Sequence, residues 1–224
     1  MTMSYDDWAY DQYLADIGRD KELEDRIEEI AIENAGWYVG TFGDAVERRV
    51  RGLMNEATLL LGSGHLGASS VLNATSLELL LRHFVLKPLV SGAFLTDVWA
   101  ELLVDKLVVG QSGRDRELVP MIANEWGINL KSIKLSDRKS AWEVFVSDLI
   151  PLRNQFVHKG ASVSLEGATR AAECTAALFD GLLPAIAKKL RLSWPESGAW
   201  HKVIQGVGSG TRFTDYDPSD PVGF

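Results

Sequence analysis

The 224-residue chain has one cysteine, Cys174. That excludes an intramolecular disulfide and every cysteine-rich zinc site. Cys174 lies in Ala171-Ala172-Glu173-Cys174-Thr175-Ala176-Ala177, a run of small residues that reads as packed core. The four histidines, His65, His83, His158 and His201, stand without a spaced set of partner ligands, so neither a metal nor a cofactor is expected. No apolar run approaches the roughly 18 residues that a membrane span requires. The most apolar stretch, 77–86, is broken by Glu78, Arg82 and His83. The opening Met1-Thr2-Met3-Ser4-Tyr5-Asp6-Asp7 lacks the basic and apolar regions of a secretory signal. A cytoplasmic protein with no membrane attachment is expected. A basic excess is also missing: the net charge is −8, which argues against a dedicated duplex-DNA binder. The acidity is local, however. Residues 1–44 hold 12 acidic and 3 basic side chains, whereas the rest hold 19 and 20.

What remains is helical periodicity. The pattern predicts an all-α bundle of four to five main helices with an N-terminal helical extension and an irregular C-terminal tail. Two short helices are expected over 5–17 and 20–35, broken near Gly18. Gly36, Gly40 and Gly43 read as a hinge and a domain boundary. Three regions follow: an acidic extension (1–43), the bundle (44–192) and a Gly/Pro/aromatic tail (193–224). Within the bundle, helices are expected over 44–61, 65–87, 92–108 and 115–126. Gly62-Ser63-Gly64 stops the first of these, and Pro88 ends the second. Ser140-Ala141-Trp142-Glu143 is a capping box. After it, Trp142, Phe145, Leu149, Leu152 and Phe156 recur at spacings of 3, 4, 3 and 4, a bundle seam. Pro151 falls inside this seam and predicts a kink just before Arg153. Gly160 ends that helix, and Ser164 caps a last one running to about Leu192, with a bend at Pro184. In the tail, 202–204 and 211–213 are compatible with a short hairpin or with an extended segment.

One constellation carries chemistry: Arg153-Asn154-Gln155-Phe156-Val157-His158 near a helix end. Arg and His at this spacing are common, but with Asn directly after the Arg chance supplies only about 0.02 cases in such a chain. His158 can move protons near neutral pH. Arg153 is permanently charged and can fork onto two phosphate oxygens. Asn154 lies four residues before His158 on one helix face, where it can orient the imidazole or bind phosphate. Arg153 and His158, five apart, are about 140° apart around a regular helix, so they flank a groove. One chain offers little beyond one acid–base group. A two-fold pair would set two histidines and two arginines around one phosphate. Glu78 is placed to hold the Arg153 fork.

The motif resembles the HEPN superfamily, whose pattern is Arg, a polar residue that is often Asn, then His four to six residues after the Arg, near the end of a bundle helix. The resemblance covers about 44–192. Ala74-Thr75-Ser76-Leu77-Glu78 with Leu86-Lys87-Pro88-Leu89 looks like the family's earlier long helix, and the Ser164–Leu192 helix fits its last. It implies a metal-independent endoribonuclease of the toxin–antitoxin or phage-defence kind, with Arg153, Asn154 and His158 as catalytic residues in a composite homodimer site. RNA is then the substrate, and an antitoxin or defence-complex protein a possible partner. Some HEPN toxins carry a modified tyrosine two residues after the motif histidine; Gly160 stands there in this chain. A non-catalytic HEPN-like interaction module is the alternative, with the acidic segment and the tail aromatics (Trp194, Trp200, Phe213, Tyr216, Phe224) as docking elements. In a third reading the acidic segment covers the RNA groove in cis. The remaining features read as structural. His65 and His83 are helix-end residues. Arg48, Arg49 and Arg51, and Lys131, Lys134, Arg138 and Lys139, are basic runs that are either solvated or track an RNA backbone.

Overall fold

Apolar spacing near 3.6 residues runs through almost every described segment, and the chain answers with helices alone. The computed structural model describes residues 5–88, 115–194 and 200, with side chains from residue 18 onward except 115, 116, 118 and 125. The helix expected over 92–108, His201, the tail hairpin and Phe213, Tyr216 and Phe224 lie outside the described residues. Six α-helices are found among them: α1 (Tyr5–Gly62), α2 (Leu66–Leu81), α3 (Asp115–Glu125), α4 (Ala141–Val144), α5 (Ile150–Lys159) and α6 (Leu165–Lys189). An isolated bridge joins Lys134 and Ser140, and no strand is found among the described residues. The fold is all-α, and no described helix is long and apolar enough to cross a membrane.

The α1–α2–α6 layer holds the core. Leu77, Leu80 and Phe84 from the α2 side meet Leu178, Phe179, Leu182, Leu183 and Ile186 of α6, all essentially without solvent contact. Small residues let the helices approach. Ser69 Oγ donates to the carbonyl of Ala57 across the α1–α2 contact at 2.8 Å, and Thr175 Oγ1 donates to the carbonyl of Asn73 at 3.4 Å where α6 crosses α2. Cys174 is fully buried and its Sγ donates to the carbonyl of Ala141. Burial pushes its thiol up to about 12, which leaves it protonated and inert.

The expected breaks in the N-terminal half do not occur. α1 passes through Gly18, Gly36, Gly40 and Gly43 as one 58-residue helix. Gly36, Gly40 and Gly43 instead share a helix face that the C-terminal segment crosses. A Cβ on Gly43 would lie 2.8 Å from Cγ of Trp200, and one on Gly40 would lie 3.5 Å from the Trp200 carbonyl oxygen. The glycines are a seat for Trp200, not a hinge. Trp200 is completely buried there, stacked at 5.0 Å on Trp194 and packed at 5.0 Å on Phe84. Two of the aromatics expected to dock another chain are therefore spent inside this one. The glycine seat also places Leu190, Trp194 and Trp200 against α1, across the expected boundary at 43/44.

Prolines act upstream of where the sequence suggests. Pro151 has no N–H for the carbonyl of Ser147. The helix absorbs this as a π turn, Phe145–Leu149, in which the Ile150 N–H reaches the Phe145 carbonyl. The same device precedes Pro88: a π turn over Arg82–Leu86, closed by the Lys87 N–H on the Arg82 carbonyl. Each π turn ends two residues before its proline. The helix remains helical through Pro88. Pro184 does not interrupt α6. The seam residues Trp142, Phe145 and Leu149 are buried as expected, whereas Leu152 and Phe156, beyond the π turn, are half-buried.

The two serine caps differ. Ser164 Oγ accepts from the Gly167 N–H at 3.1 Å, so α6 starts where expected. Ser140 also precedes its helix, but its hydroxyl is buried without a hydrogen bond among the described residues, and Glu143 is exposed. The Ala141 N–H, first in the helix, donates to the Ile133 carbonyl at 2.9 Å. Ser164→Ala is therefore expected to cost about 1 kcal/mol. Ser140→Ala is expected to be neutral or stabilising, because it removes an unsatisfied buried hydroxyl. Urea unfolding of the two variants beside the parent checks this contrast.

Candidate functional site

The candidate residues sit on the short helix α5 and its neighbour α2. α5 opens with Pro151 in its first turn and closes at Gly160, which adopts φ 63°. That left-handed conformation suits glycine and strains any other residue, so a tyrosine at this position would conflict with the helix stop. The Gly160 N–H donates to the Phe156 carbonyl and the Ala161 N–H to the Gln155 carbonyl, which finishes the helix directly after His158.

α5 rests on α2 through Phe156 and Gly67. A Cβ at Gly67 would fall inside the Phe156 ring, so this contact exists only because residue 67 is glycine. Leu152 meets Gly167 at the start of α6, with a would-be Cβ at 3.4 Å from Cδ2. These two contacts fix the height and rotation of α5. Sequence reasoning found Phe156 in the seam but missed Gly67, because a glycine inside a helix gives no sign of which ring lies over it. Beside Phe156 is an open depression of about 300 Å³, lined by 64–68, Phe156 and Val163.

Three of the four site residues come together. Arg153 Nη2 lies 3.7 Å from Glu78 Oε2, and Arg153 Nη1 donates to Asn154 Oδ1 at 3.3 Å. Both members of the ion pair are roughly 30% exposed: 30% for Arg153 and 27% for Glu78. Burial raises the Glu78 carboxyl above its ordinary value, and the attraction of Arg153 only partly opposes this. The arginine is thus held by a half-buried carboxylate and a side-chain amide, with part of its fork open to solvent. His158 does not join them. It is exposed, one turn beyond Asn154, and the Asn154 carbonyl oxygen faces Arg153 rather than the imidazole. A single chain therefore presents an anchored cation and a separate proton-transfer group on one helix.

The linkage of Glu78 has a defined sign. Its folded pKa is raised, so the ionised form is disfavoured by folding, and this penalty is absent below 4.5 where both states are protonated. The penalty grows as pH rises from 4.5 through the raised folded value. Glu78→Gln removes it. The variant is expected to gain stability relative to the parent as pH is raised from 4.5 to 7, as read by urea midpoints at the two pH values.

The other sequence candidates take structural positions. The hydroxyl of Tyr38 and Nδ1 of buried His83 are hydrogen-bonded at 2.9 Å. His65 is the exposed residue preceding α2, and its carbonyl accepts from the Ser69 N–H. Arg51 lies over the Phe179 ring at 4.5 Å and pairs with Glu47, so it is no free phosphate contact, whereas Arg48 and Arg49 are exposed. Lys131 pairs with Glu117 and Lys139 with Asp137, which halves the second basic run. Among the described residues no group of three His, Cys, Asp or Glu is arranged to hold a metal ion. No protein-family model matches the chain, nor does any curated protein or solved structure.

Proposed function

We propose that the chain is a metal-independent endoribonuclease of the HEPN type, acting as a homodimer in a toxin or defence setting. The observation that carries this reading is Arg153 held by Glu78 and Asn154, with an exposed histidine at the end of the same helix. Cleavage without a metal uses the RNA's own 2′-hydroxyl as nucleophile. It requires a group to move protons and a cation on the developing phosphorane charge. His158 supplies the first and Arg153 the second, while Glu78 is a positioning residue that keeps the guanidinium from swinging away. Since one chain keeps the two apart, the working site is assembled from two copies. Two exposed apolar side chains support an interface here: Val157, next to His158, is 51% exposed, and Leu165, at the start of α6, is 62% exposed.

The test is incubation of purified protein with mixed RNAs in EDTA. Products with 2′,3′-cyclic phosphate and 5′-hydroxyl ends are expected, lost in Arg153→Ala and His158→Ala. Equal cutting by parent and variants, or a strict need for divalent metal, overturns the reading. A second reading, a non-catalytic interaction module, is favoured by one observation: no hydrogen bond orients the His158 ring among the described residues. That reading expects no growth arrest on overexpression, and arrest that depends on His158 counts against it.

A further inference from the structure

The π turn before α5 does more than relieve Pro151. In an α-helix each N–H reaches the carbonyl four residues back, whereas the Ile150 N–H reaches five back, to Phe145. The turn therefore holds one residue more than an α-helical turn. At 3.6 residues per turn, one extra residue sets everything after it back by about 100° around the axis. Counted from the buried Trp142 and Phe145, an uninterrupted helix would aim Leu152 and Phe156 at the core, as their seam spacing requires. With the extra residue, the direction that Leu152 would take falls to Arg153.

The contacts of α5 agree with this rotation. None of its residues is buried, although its apolar residues continue the seam. Leu152 meets Gly167 at the start of α6, and Phe156 rests on Gly67 near the start of α2. Arg153 faces α2 and lies 3.7 Å from Glu78. Glu78 is the one charged residue of α2, so that helix offers no second carboxylate to an arginine pointing elsewhere.

The extra residue has a cost, since it takes Leu152 and Phe156 off the core direction. Pro151 tips the balance. It cannot donate to the Ser147 carbonyl and its ring crowds that oxygen, so a regular turn is the poorer choice there. The π turn over Arg82–Leu86 stands in the same relation to Pro88. Pro184 lies inside α6 without one, so a proline favours the wide turn and does not dictate it.

We propose that Pro151 is a positioning residue: it holds the one-residue insertion that turns Arg153, in place of Leu152, toward α2 and onto Glu78. The bearing on RNA cleavage rests on the nuclease reading, and the rotation does not. Two variants of the full chain test it. Pro151→Ala lets the Ser147 carbonyl regain its bond and the seam close, which swings Arg153 away by about 100°. Pro151→Ala combined with deletion of the exposed Ser147 removes the extra residue itself, so the helix is regular and Arg153 keeps its present direction. NMR titration follows the Glu78 carboxyl, identified by its absence in Glu78→Gln. Arg153 holds this carboxyl down against the effect of burial. Its midpoint is expected to rise in Pro151→Ala and to return to the parent's in the deletion variant. Single-turnover RNA cleavage is expected to fall by about tenfold or more in Pro151→Ala and to recover with the deletion. A Glu78 midpoint that does not move in Pro151→Ala, or that moves and is not restored by the deletion, overturns the proposal. A parent that cuts no RNA overturns the nuclease reading alone, because the titration still decides where Arg153 points.

Discussion

His158→Ala is expected to lower RNA cleavage by roughly 10²–10⁴-fold, the usual worth of a positioned general acid–base group. The exposed position of the side chain makes this a clean experiment, because truncating it disturbs no core contact. Arg153→Ala is expected to fall in a similar range, but Arg153→Lys separates two roles. Lysine keeps the charge and loses the planar fork that binds Asn154 and reaches Glu78. Activity that stays low with lysine indicates bidentate phosphate contact. Glu78→Gln should act through the arginine, with a loss smaller than that of Arg153→Ala and a larger effect on KM than on kcat. Mixing His158→Ala with Arg153→Ala protein adds a decisive arm. If the site is shared between two copies, the mixture recovers part of the activity that neither variant has alone. Single-turnover assays on a labelled RNA measure all of these.

Glu47→Ala is expected to be the most destabilising single change near the C-terminal segment, costing about 3 kcal/mol. Its Oε2 accepts from the indole N–H groups of both Trp194 and Trp200, at 2.7 and 2.8 Å, and its Oε1 accepts from Arg51 Nε at 2.8 Å. The Glu47 side chain is only 13% exposed and Trp200 is fully buried, so removing the carboxylate strands a buried donor. For a chain of this size, that corresponds to a fall in Tm of roughly 6–12 °C. Glu47→Gln keeps one oxygen that can accept from the indoles and should lose less. Gly43→Ala attacks the same seat by overpacking: its new Cβ would lie 2.9 Å from Trp200 Cδ1, and a loss of about 1–3 kcal/mol is expected. Because Asp44 also accepts from the Trp200 N–H at 3.1 Å, the segment around Trp200 should detach as a unit. Tryptophan fluorescence during urea unfolding, read beside circular dichroism, follows that step directly.

Local rules carried some features well. Gly160 ends α5 and Gly64 closes the end of α1, each in a left-handed conformation that a glycine adopts freely. Ser164 caps α6 through a bond to a residue three positions on. The burial of Cys174 was legible from its small neighbours. At the candidate site, the pairing of Glu78 with Arg153 was also within reach, since Glu78 is the one charged residue of α2 and Arg153 lies on the neighbouring helix. Other features were misread for one common reason. Gly36, Gly40 and Gly43 look like a hinge unless it is known that Trp200, far along the chain, lies across them. Trp194 and Trp200 look like free docking aromatics unless Glu47 is known to receive them. Ser140 has the right sequence for a capping box, yet its buried hydroxyl makes no hydrogen bond among the described residues and Glu143 is exposed.

The amino-acid order alone determined that this protein is helical, where several helices stop, and that its negative charge sits in the first fifth of the chain. All three depend on neighbours a few residues apart, within reach of helical periodicity, backbone capping and simple counting. The tertiary structure decided what the glycines seat, where the tryptophans go, how the prolines are relieved by π turns, and that Arg153 is anchored while His158 stands apart. Apart from the π turns, these depend on which surfaces meet across long stretches of chain, and close packing between distant segments leaves no periodic trace in either of them.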